Sequence, residues 1–381
     1  RTRMFIAGSI AALALPASAG ADPGPYVALG DSYTAAPLVL NQSGRPAGCS
    51  RSDHNYPSLV AAWSGVGDFT DVSCAGAQTR DMSAPQTVSF AVNAPQFDAL
   101  RDSTRLVTVG IGGNDAGLVS AAVKCARLGL TAPGGSACRS YFSPGGVDGF
   151  PAKFARTAPK IAAVLAAIHE RSPQARIALV GYPDVAPRTG NGCYPLVPLS
   201  ADDLRYFDSL IVRLNAMLAE QAAANGAEYV DTYTDSIGHD VCSLPGGKWF
   251  EALVPTAVAY PLHPNALGMQ SMARSVVRVL SAPQPAPVLS RLERAHRTIA
   301  RGRTARLSYR LDRAATVAVV LRRATPRGRY VVVRRMTAQG SFGDNALAVG
   351  ARSYARRAGL YSVEATPAGG VAQVVRFRVR R

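Results

Sequence analysis

Short apolar runs alternate with amphipathic segments between residues 22 and 280. Runs rich in Val, Leu and Ile are typical of buried strands, and apolar residues at steps of three and four mark one face of a helix. The predicted strands are residues 26–29, 106–111, 176–180 and 228–230, with a weaker one at 69–72. The predicted helices are residues 150–171, 202–225 and 264–280. This alternation predicts an α/β domain with a parallel sheet covered by helices on both sides.

The rest of the chain has a different pattern. Short runs rich in β-branched residues at 315–321, 330–333, 360–365 and 372–379 are separated by Gly, Pro, Asp or Asn, which predicts strands joined by turns. We expect a small all-β sandwich of about seven strands or fewer. A Pro-rich stretch precedes it and is typical of an extended spacer. The predicted division is an α/β domain at 22–280, a linker at 281–289 and a β domain at 290–381.

Charge separates the two domains sharply. The chain has 42 Lys plus Arg against 25 Asp plus Glu, a formal net charge of +17. Residues 291–381 contain 21 Arg, no Lys and four acids, which is 21 minus 4, so this segment alone has a charge of +17. Three interpretations remain open: a solvated surface, contact with anionic lipid or cell-wall polymer, and nucleic-acid binding. The last is disfavoured, because no known nucleic-acid motif is present, and we expect no nucleic-acid partner.

The amino-terminal segment has the features of an export signal. Arg1 and Arg3 precede an apolar run at residues 4–15, and Ala17-Ser18-Ala19 supplies the small residues that a signal peptidase accepts. The run is shorter than the ~20 residues of a membrane-spanning helix. We therefore expect residues 1–21 to be a signal peptide and the protein to be secreted.

The six cysteines agree with export. They are Cys49, Cys74, Cys125, Cys138, Cys193 and Cys242. An even number of cysteines in an exported chain implies disulfides, although the count alone allows several pairings. No pair has the close Cys-x-x-Cys spacing of a zinc site, so we expect no metal.

Three short segments carry candidate chemistry. Residues 30–34 (Gly-Asp-Ser-Tyr-Thr) follow the first predicted strand and place Ser32 where ligands bind in open α/β sheets. Residues 110–115 (Gly-Ile-Gly-Gly-Asn-Asp) follow another strand, and residues 263–265 (His-Pro-Asn) precede the last helix. A serine becomes a useful nucleophile only when an imidazole takes its proton. These segments supply a nucleophile in Ser32, a polar donor in Asn114 and a base in His263.

Together with residues 74–77 (Cys-Ala-Gly-Ala), these segments resemble the four ordered blocks of the SGNH hydrolases, also called the GDSL lipase/esterase family. The chain is most similar in pattern to the secreted actinobacterial lipases and esterases of that family. The resemblance implies a flavodoxin-like, three-layer α/β/α sandwich around a five-stranded parallel sheet. It also implies three consecutive disulfides, Cys49–Cys74, Cys125–Cys138 and Cys193–Cys242. Its expected oxyanion donors are the Ser32 N–H, the Gly76 N–H and the Asn114 side-chain amide.

One position departs from the family pattern. Many members have an aspartate three residues before the histidine, where this sequence has Tyr260. Because some members use a main-chain carbonyl there, we predict that the Tyr260 carbonyl accepts a hydrogen bond from His263 Nδ1. A neutral acceptor stabilises the imidazolium less than a carboxylate does.

The sequence therefore predicts a secreted serine ester hydrolase of lipase or esterase type. We expect an acyl-enzyme on Ser32, no metal or other cofactor, an ester or lipid substrate, and a monomer. Two alternatives keep the chemistry but change the substrate to sugar acetyl esters or phospholipid acyl esters. A third alternative is a surface-binding protein without activity.

Overall fold

The computed structural model describes residues 24–132, 134–350 and 357–380. The predicted signal peptide, residues 1–21, lies outside this range. The strands of the α/β part are β1 Tyr26–Gly30, β2 Phe69–Asp71, β3 Gln86–Val88, β4 Ala91–Asn93, β5 Leu106–Gly110, β6 Arg176–Val180 and β7 Glu228–Val230. Its helices are α1 Ser32–Ala35, α2 Tyr56–Ser64, α3 Gly113–Ala116, α4 Leu118–Thr131, α5 Ala137–Phe142, α6 Phe150–Arg171, α7 Ala201–Ala224 and α8 Ala266–Ser281.

Five of these strands form one parallel sheet in the order β2-β1-β5-β6-β7. Every residue of β1 and of β5 is buried, as expected for strands covered on both faces. Side chains of α4, α6 and α7 pack on one face of the sheet, and side chains of α2 and α8 pack on the other. The predicted three-layer sandwich with a five-stranded parallel sheet is confirmed.

The sheet brings the ends of β1 and β5 together. Gly30 pairs with Gly110 at the last position of their ladder, and Asp31 N–H donates to the Gly110 carbonyl at 2.9 Å. Gly30 has a φ of +155°, and a Cβ at this position would lie 2.2 Å from Thr34 Oγ1. A larger residue therefore does not fit where the chain turns from β1 into the segment that contains Ser32.

Three disulfides fix the loops around this edge of the sheet. They join Cys49 to Cys74, Cys125 to Cys138 and Cys193 to Cys242, which is the pairing that the family resemblance implied. The cysteines themselves lie outside the strands of the parallel sheet, while the first closed loop contains β2 and the third contains β7. Each crosslink restricts the unfolded chain and typically contributes about 2–4 kcal/mol to stability.

The carboxyl-terminal part is all-β. Its strands are β8 Leu289–Arg294, β9 Thr298–Ala300, β10 Ala305–Leu311, β11 Ala315–Ala324, β12 Tyr330–Gly340, β13 Gly343–Val349, β14 Gly359–Pro367 and β15 Gln373–Arg380. One sheet has the order β13-β10-β8 and the other has the order β12-β11-β14-β15-β9. The prediction of seven strands or fewer was wrong, because the described residues form eight strands. The strands β8, β9, β10 and β13 were not predicted. The strand β9 has only three residues, and β8 and β10 have polar residues between their apolar residues.

The two parts meet at a small aromatic contact. Phe342, between β12 and β13, stacks on His169 of α6 with ring centroids 4.3 Å apart. The helix α8 ends at Ser281 and β8 begins at Leu289. The domain boundaries at 22–280, 281–289 and 290–381 stay predictions. In the part of the chain that the structure describes, no helix has the length and apolar character to cross a bilayer.

Candidate active site

Ser32 and His263 are the centre of the site. Ser32 is the first residue of α1, directly after β1, and His263 precedes α8. His263 Nε2 lies 2.7 Å from Ser32 Oγ, and both side chains are buried. The structure thus brings together the two residues that the sequence selected, 231 positions apart.

The other ring nitrogen of His263 fixes the tautomer. His263 Nδ1 lies 2.8 Å from the carbonyl oxygen of Pro261. Because a carbonyl oxygen can only accept, Nδ1 carries the proton and Nε2 presents a lone pair to the Ser32 hydroxyl. A serine hydroxyl next to an unprotonated imidazole nitrogen is the arrangement that general-base catalysis needs.

The prediction that the Tyr260 carbonyl accepts the hydrogen bond from His263 Nδ1 was wrong. The carbonyl bonded to His263 Nδ1 belongs to Pro261, two residues before the histidine, and not to Tyr260, three residues before it. Leu262 has a φ of +62°, and this left-handed turn directs the Pro261 carbonyl back toward the ring. Tyr260 instead donates its N–H to the Pro37 carbonyl and places its ring edge-on to the imidazole.

Nearby carboxylates have other partners. Glu251 is fully buried and accepts hydrogen bonds from Asn265 Nδ2 and from the N–H and hydroxyl of Thr256. Its backbone N–H donates to the His263 carbonyl at 3.0 Å. Among the described residues, the hydrogen-bond partners of the His263 ring are the Pro261 carbonyl and the Ser32 hydroxyl, and neither is a carboxylate. Glu251 therefore supports the loop that contains His263, a role that no motif in the sequence indicated.

The predicted oxyanion donors lie on loops that are anchored beside Ser32. Cys74 N–H donates to the Gly30 carbonyl, which places Gly76 near the end of β1. Within the described chain, neither the Ser32 N–H nor the Gly76 N–H donates to a protein acceptor. Asn114 Nδ2 donates one hydrogen to the Ala77 carbonyl at 2.9 Å, so its second hydrogen remains for another acceptor.

A further pair holds these two loops to each other. The Asp115 carboxylate accepts from Thr79 N–H at 2.9 Å and from Thr79 Oγ1 at 2.6 Å, and Lys160 lies 3.3 Å away. This contact joins the loop of Gly76 to the loop of Asn114. The sequence did not indicate this contact, because the pairing of Asp115 with Thr79 joins residues 36 positions apart.

Asp31 organises the start of α1. Its carboxylate accepts from Tyr33 N–H at 2.9 Å and from the Tyr182 hydroxyl at 2.6 Å, and that hydroxyl accepts in turn from Gly113 N–H at 2.8 Å. Burial raises the pKa of Asp31 to about 7, and the hydrogen bonds from Tyr182 and Tyr33 oppose this rise. Tyr182 therefore connects the Ser32 segment to the Asn114 segment, a link that the sequence did not reveal.

The environment of His263 leads to a prediction on pH. Burial lowers the pKa of His263 to about 4, opposed by the hydrogen bond to the Pro261 carbonyl. The ring must be neutral to accept the Ser32 proton, so activity is present above this pKa and is lost as pH falls through it. We expect the acid limb of kcat/KM to lie well below 6.5, the ordinary pKa of histidine.

This pH profile is measured with a soluble ester, and each sample is returned to neutral pH to check that it has not unfolded. Asp31→Asn is the control, since Asp31 is next to Ser32 and also has a raised pKa. The acid limb below 6.5 should remain in this variant. A limb near 6.5 that Asp31→Asn leaves unchanged would contradict the assignment to a desolvated His263.

An apolar cavity opens beside Ser32. Ser32 and Asn114 are among its lining residues, and the walls come mainly from α4, α7 and the segments that follow β6 and β7. The apolar lining residues are Leu118, Val119, Ala122, Ala126, Val185, Ala186, Val197, Leu199, Leu204, Phe207, Ile211, Val241, Phe250, Leu253 and Leu262. Leu118, Ala122 and Ala126 follow one face of α4 and span about 12 Å at 1.5 Å per residue. The cavity is suited to an extended apolar group attached to the reacting carbonyl.

Comparison with known proteins agrees with this geometry. The sequence profile of the GDSL-like Lipase/Acylhydrolase family matches residues 28–271. Lipase 2 of Streptomyces coelicolor is 39% identical over 258 residues, covering 67% of this chain and 85% of that protein. An esterase of Streptomyces scabiei is 31% identical, covering 71% and 90%.

Solved structures are also similar. A phospholipase A1 from Streptomyces albidoflavus has a TM-score of 0.54 and 25% identity, covering 68% of this chain and 99% of that one. An extracellular lipase from Streptomyces rimosus has a TM-score of 0.54 and 28% identity, covering 67% and 99%.

Proposed function

Because the chain belongs to the GDSL-like lipase/acylhydrolase family and is therefore a carboxylic ester hydrolase, we propose that it works through an acyl-enzyme on Ser32. The 2.7 Å contact between Ser32 Oγ and His263 Nε2 is the main support for this mechanism. The proposed enzyme is a secreted lipase or esterase. The three disulfides support the secreted location, since such bonds persist in oxidising compartments.

In the first half of the reaction, Ser32 Oγ attacks the ester carbonyl carbon while its proton passes to His263 Nε2. The carbonyl oxygen becomes negative and accepts hydrogen bonds from the Ser32 N–H, the Gly76 N–H and Asn114 Nδ2. His263 then gives the proton to the leaving alcohol, and the C–O bond to that alcohol breaks. In the second half a water molecule attacks the acyl carbonyl carbon and gives one proton to His263. The bond from that carbon to Ser32 Oγ then breaks, the carboxylic acid leaves, and His263 returns the proton to Ser32 Oγ.

The Pro261 carbonyl acts on the imidazole as a neutral acceptor. It holds the Nδ1 proton, and with it the orientation of the ring, while Nε2 gains and loses its proton. A carbonyl oxygen stabilises the cationic ring less than a carboxylate does. The low pKa of His263 agrees with this neutral, desolvated setting. The ring therefore returns its proton to the leaving group readily.

The cavity favours acyl chains longer than acetyl. Burying each methylene contributes about 0.8 kcal/mol, so four more methylenes placed in the cavity contribute about 3 kcal/mol to transition-state binding. This apolar space gives no advantage to a sugar acetyl ester. Phospholipid acyl esters stay compatible with it, and one similar solved structure is a phospholipase A1. The p-nitrophenyl esters of graded chain length test this proposal, and we expect octanoate to be preferred over acetate in kcat/KM.

A substitution in the cavity wall makes the chain-length prediction specific. Ala122→Phe adds a ring to the cavity wall on α4, eight residues after Asn114, so we expect kcat/KM for octanoate to fall about tenfold or more while acetate changes less than threefold. Val123→Phe is the matched control, because it adds the same side chain one residue later at an exposed position. Equal losses on both esters in Ala122→Phe would argue against acyl binding in this cavity.

The carboxyl-terminal domain is proposed to contact anionic surfaces. In the five-stranded sheet, ladder partners place Arg322, Arg335, Arg376 and Arg378 on the side facing away from the core, with Glu364 as the acid among them. Arg322 is engaged with Glu364 at 2.7 Å, whereas Arg335, Arg376 and Arg378 are exposed. Cations near an anionic membrane contribute about 1 kcal/mol each.

Binding to phosphatidylglycerol vesicles tests this contact. The triple variant R335S/R376S/R378S should bind about a hundredfold more weakly at low salt, because three cations are lost. Wild-type binding should also weaken as salt is added. The control is R101S/R127S/R156S, which removes the same charge from exposed positions of the α/β domain. If both triple variants lose affinity equally, net charge and not this face is responsible.

A further inference from the structure

Two uncharged loops flank the Ser32–His263 pair. Residues 36–44 follow α1 and contain no Asp, Glu, Lys or Arg, and residues 252–262 precede His263 and also contain none. Exposed loops of a chain with 18% charged residues are expected to contain some. The lack of charged residues in both loops is therefore unusual, and it occurs beside the pair that the substrate must reach.

The loops are joined to each other. Tyr260 N–H donates to the Pro37 carbonyl at 2.9 Å. Leu40 of the first loop and Val258 of the second line one open depression, together with Leu267 at the start of α8. Three ionisable residues also line it: Lys248 and Glu251 are buried, whereas His54 is exposed and paired with Asp53.

Both loops expose large apolar side chains to solvent. The exposed fraction is 50% for Leu38, 63% for Leu40, 77% for Val254, 58% for Val258 and 51% for Tyr260. We name these five residues the apolar rim. Single exposed apolar residues are common, but several on two joined loops beside a ligand cavity indicate a surface that binds something apolar.

We infer that the apolar rim docks on the surface of aggregated, uncharged ester substrate, such as an emulsion droplet or a micelle. The absence of charge on both loops matches an apolar, uncharged phase and not an acidic or basic partner. The rim also continues into the site, since Tyr260 contacts the His263 ring and Leu38 is six residues after Ser32. This inference rests on the proposed function and adds the physical state of the substrate. The rim and the arginines of the other domain would act on different features of a lipid surface.

Tributyrin tests the inference, because the same ester is available dissolved and, above its solubility, emulsified. The variant V254S/V258S should hydrolyse dissolved tributyrin within twofold of wild type and emulsified tributyrin at least about fivefold more slowly, since apolar area is lost from the rim. The control V288S/V371S changes two valines of similar exposure, 57% and 83%, in the carboxyl-terminal part of the chain. It should leave both rates unchanged.

A second measurement separates docking from catalysis. Ser32→Ala, with and without V254S/V258S, is sedimented with phosphatidylcholine vesicles at high salt, which screens the arginines. We expect V254S/V258S to lower the bound fraction severalfold.

Two results would overturn the inference: equal vesicle binding of Ser32→Ala with and without V254S/V258S, or equal rates of wild type and V254S/V258S on emulsified tributyrin. A wild-type dimer that V254S/V258S converts to a monomer would also overturn it, since the rim would then be a subunit interface. If dissolved esters are not hydrolysed at all, the proposed function fails, and the vesicle result alone decides on the rim.

Discussion

Replacing Ser32 with alanine is expected to lower kcat for ester hydrolysis by about four orders of magnitude or more. Ser32 Oγ is the atom that His263 Nε2 faces, and no covalent intermediate can form without it. The fold should be unaffected, because Asp31 caps α1 and alanine is compatible with the first position of a helix. The result is read from kcat on p-nitrophenyl butyrate, together with the thermal unfolding midpoint.

Ser120→Ala is the matched control for this variant, since it makes the same change at an exposed position of α4. It should retain wild-type kcat. A Ser32→Ala protein that is folded and keeps more than a tenth of the wild-type rate would show that another group attacks the ester.

Replacing His263 with alanine should have a similar effect, about four orders of magnitude on kcat, because Ser32 then has no base.

Two carboxylate variants test whether the Pro261 carbonyl or a carboxylate orients the His263 ring. Asp235 is paired with Arg278 and Ser275, and Asp240 accepts from Cys242 N–H. Asp235→Asn and Asp240→Asn should therefore keep turnover near the wild-type rate. Loss of turnover in either carboxylate variant, with the protein folded, would mean that a carboxylate and not the Pro261 carbonyl supports the imidazole.

Much of the α/β fold could be predicted, because apolar runs and the helical spacing of apolar residues are visible within each short segment. The strands β6 and β7 and the helix α6 have the predicted bounds, and Ser200 caps α7, which begins one residue before the predicted start. The helices α2, α4 and α5 were not predicted. They are shorter than α6 and α7, and α2 and α5 have only nine and six residues, too few to show a clear periodicity.

The strands of the carboxyl-terminal part were predicted only where β-branched residues cluster. In β10, Arg and Ser alternate with Leu and Tyr, and in β8 only Leu289 and Leu292 are apolar, so neither strand has a run of apolar residues that could be recognised. Their inward residues, such as Leu289, Leu307 and Tyr309, become a core only when the second sheet covers them. That pairing joins distant segments and is not visible in one sequence.

The site residues that belong to sequence motifs could be predicted. The sequence selected Ser32 and His263, and the structure places them 2.7 Å apart. It could not select Pro261 as the acceptor, because that contact depends on the backbone turn at Leu262 and not on a side chain. The contacts of Tyr182 with Asp31 and Gly113 were also invisible, since they join residues about 70 to 150 positions apart.

Treatment with a serine-reactive alkyl phosphonate, followed by location of the adduct by peptide mass spectrometry, tests most directly whether Ser32 is the nucleophile. We expect one adduct, on Ser32, that forms together with the loss of esterase activity, is absent from Ser32→Ala and is strongly slowed in His263→Ala. Stoichiometric inactivation with the adduct on any other residue would contradict the assignment of Ser32 as the nucleophile.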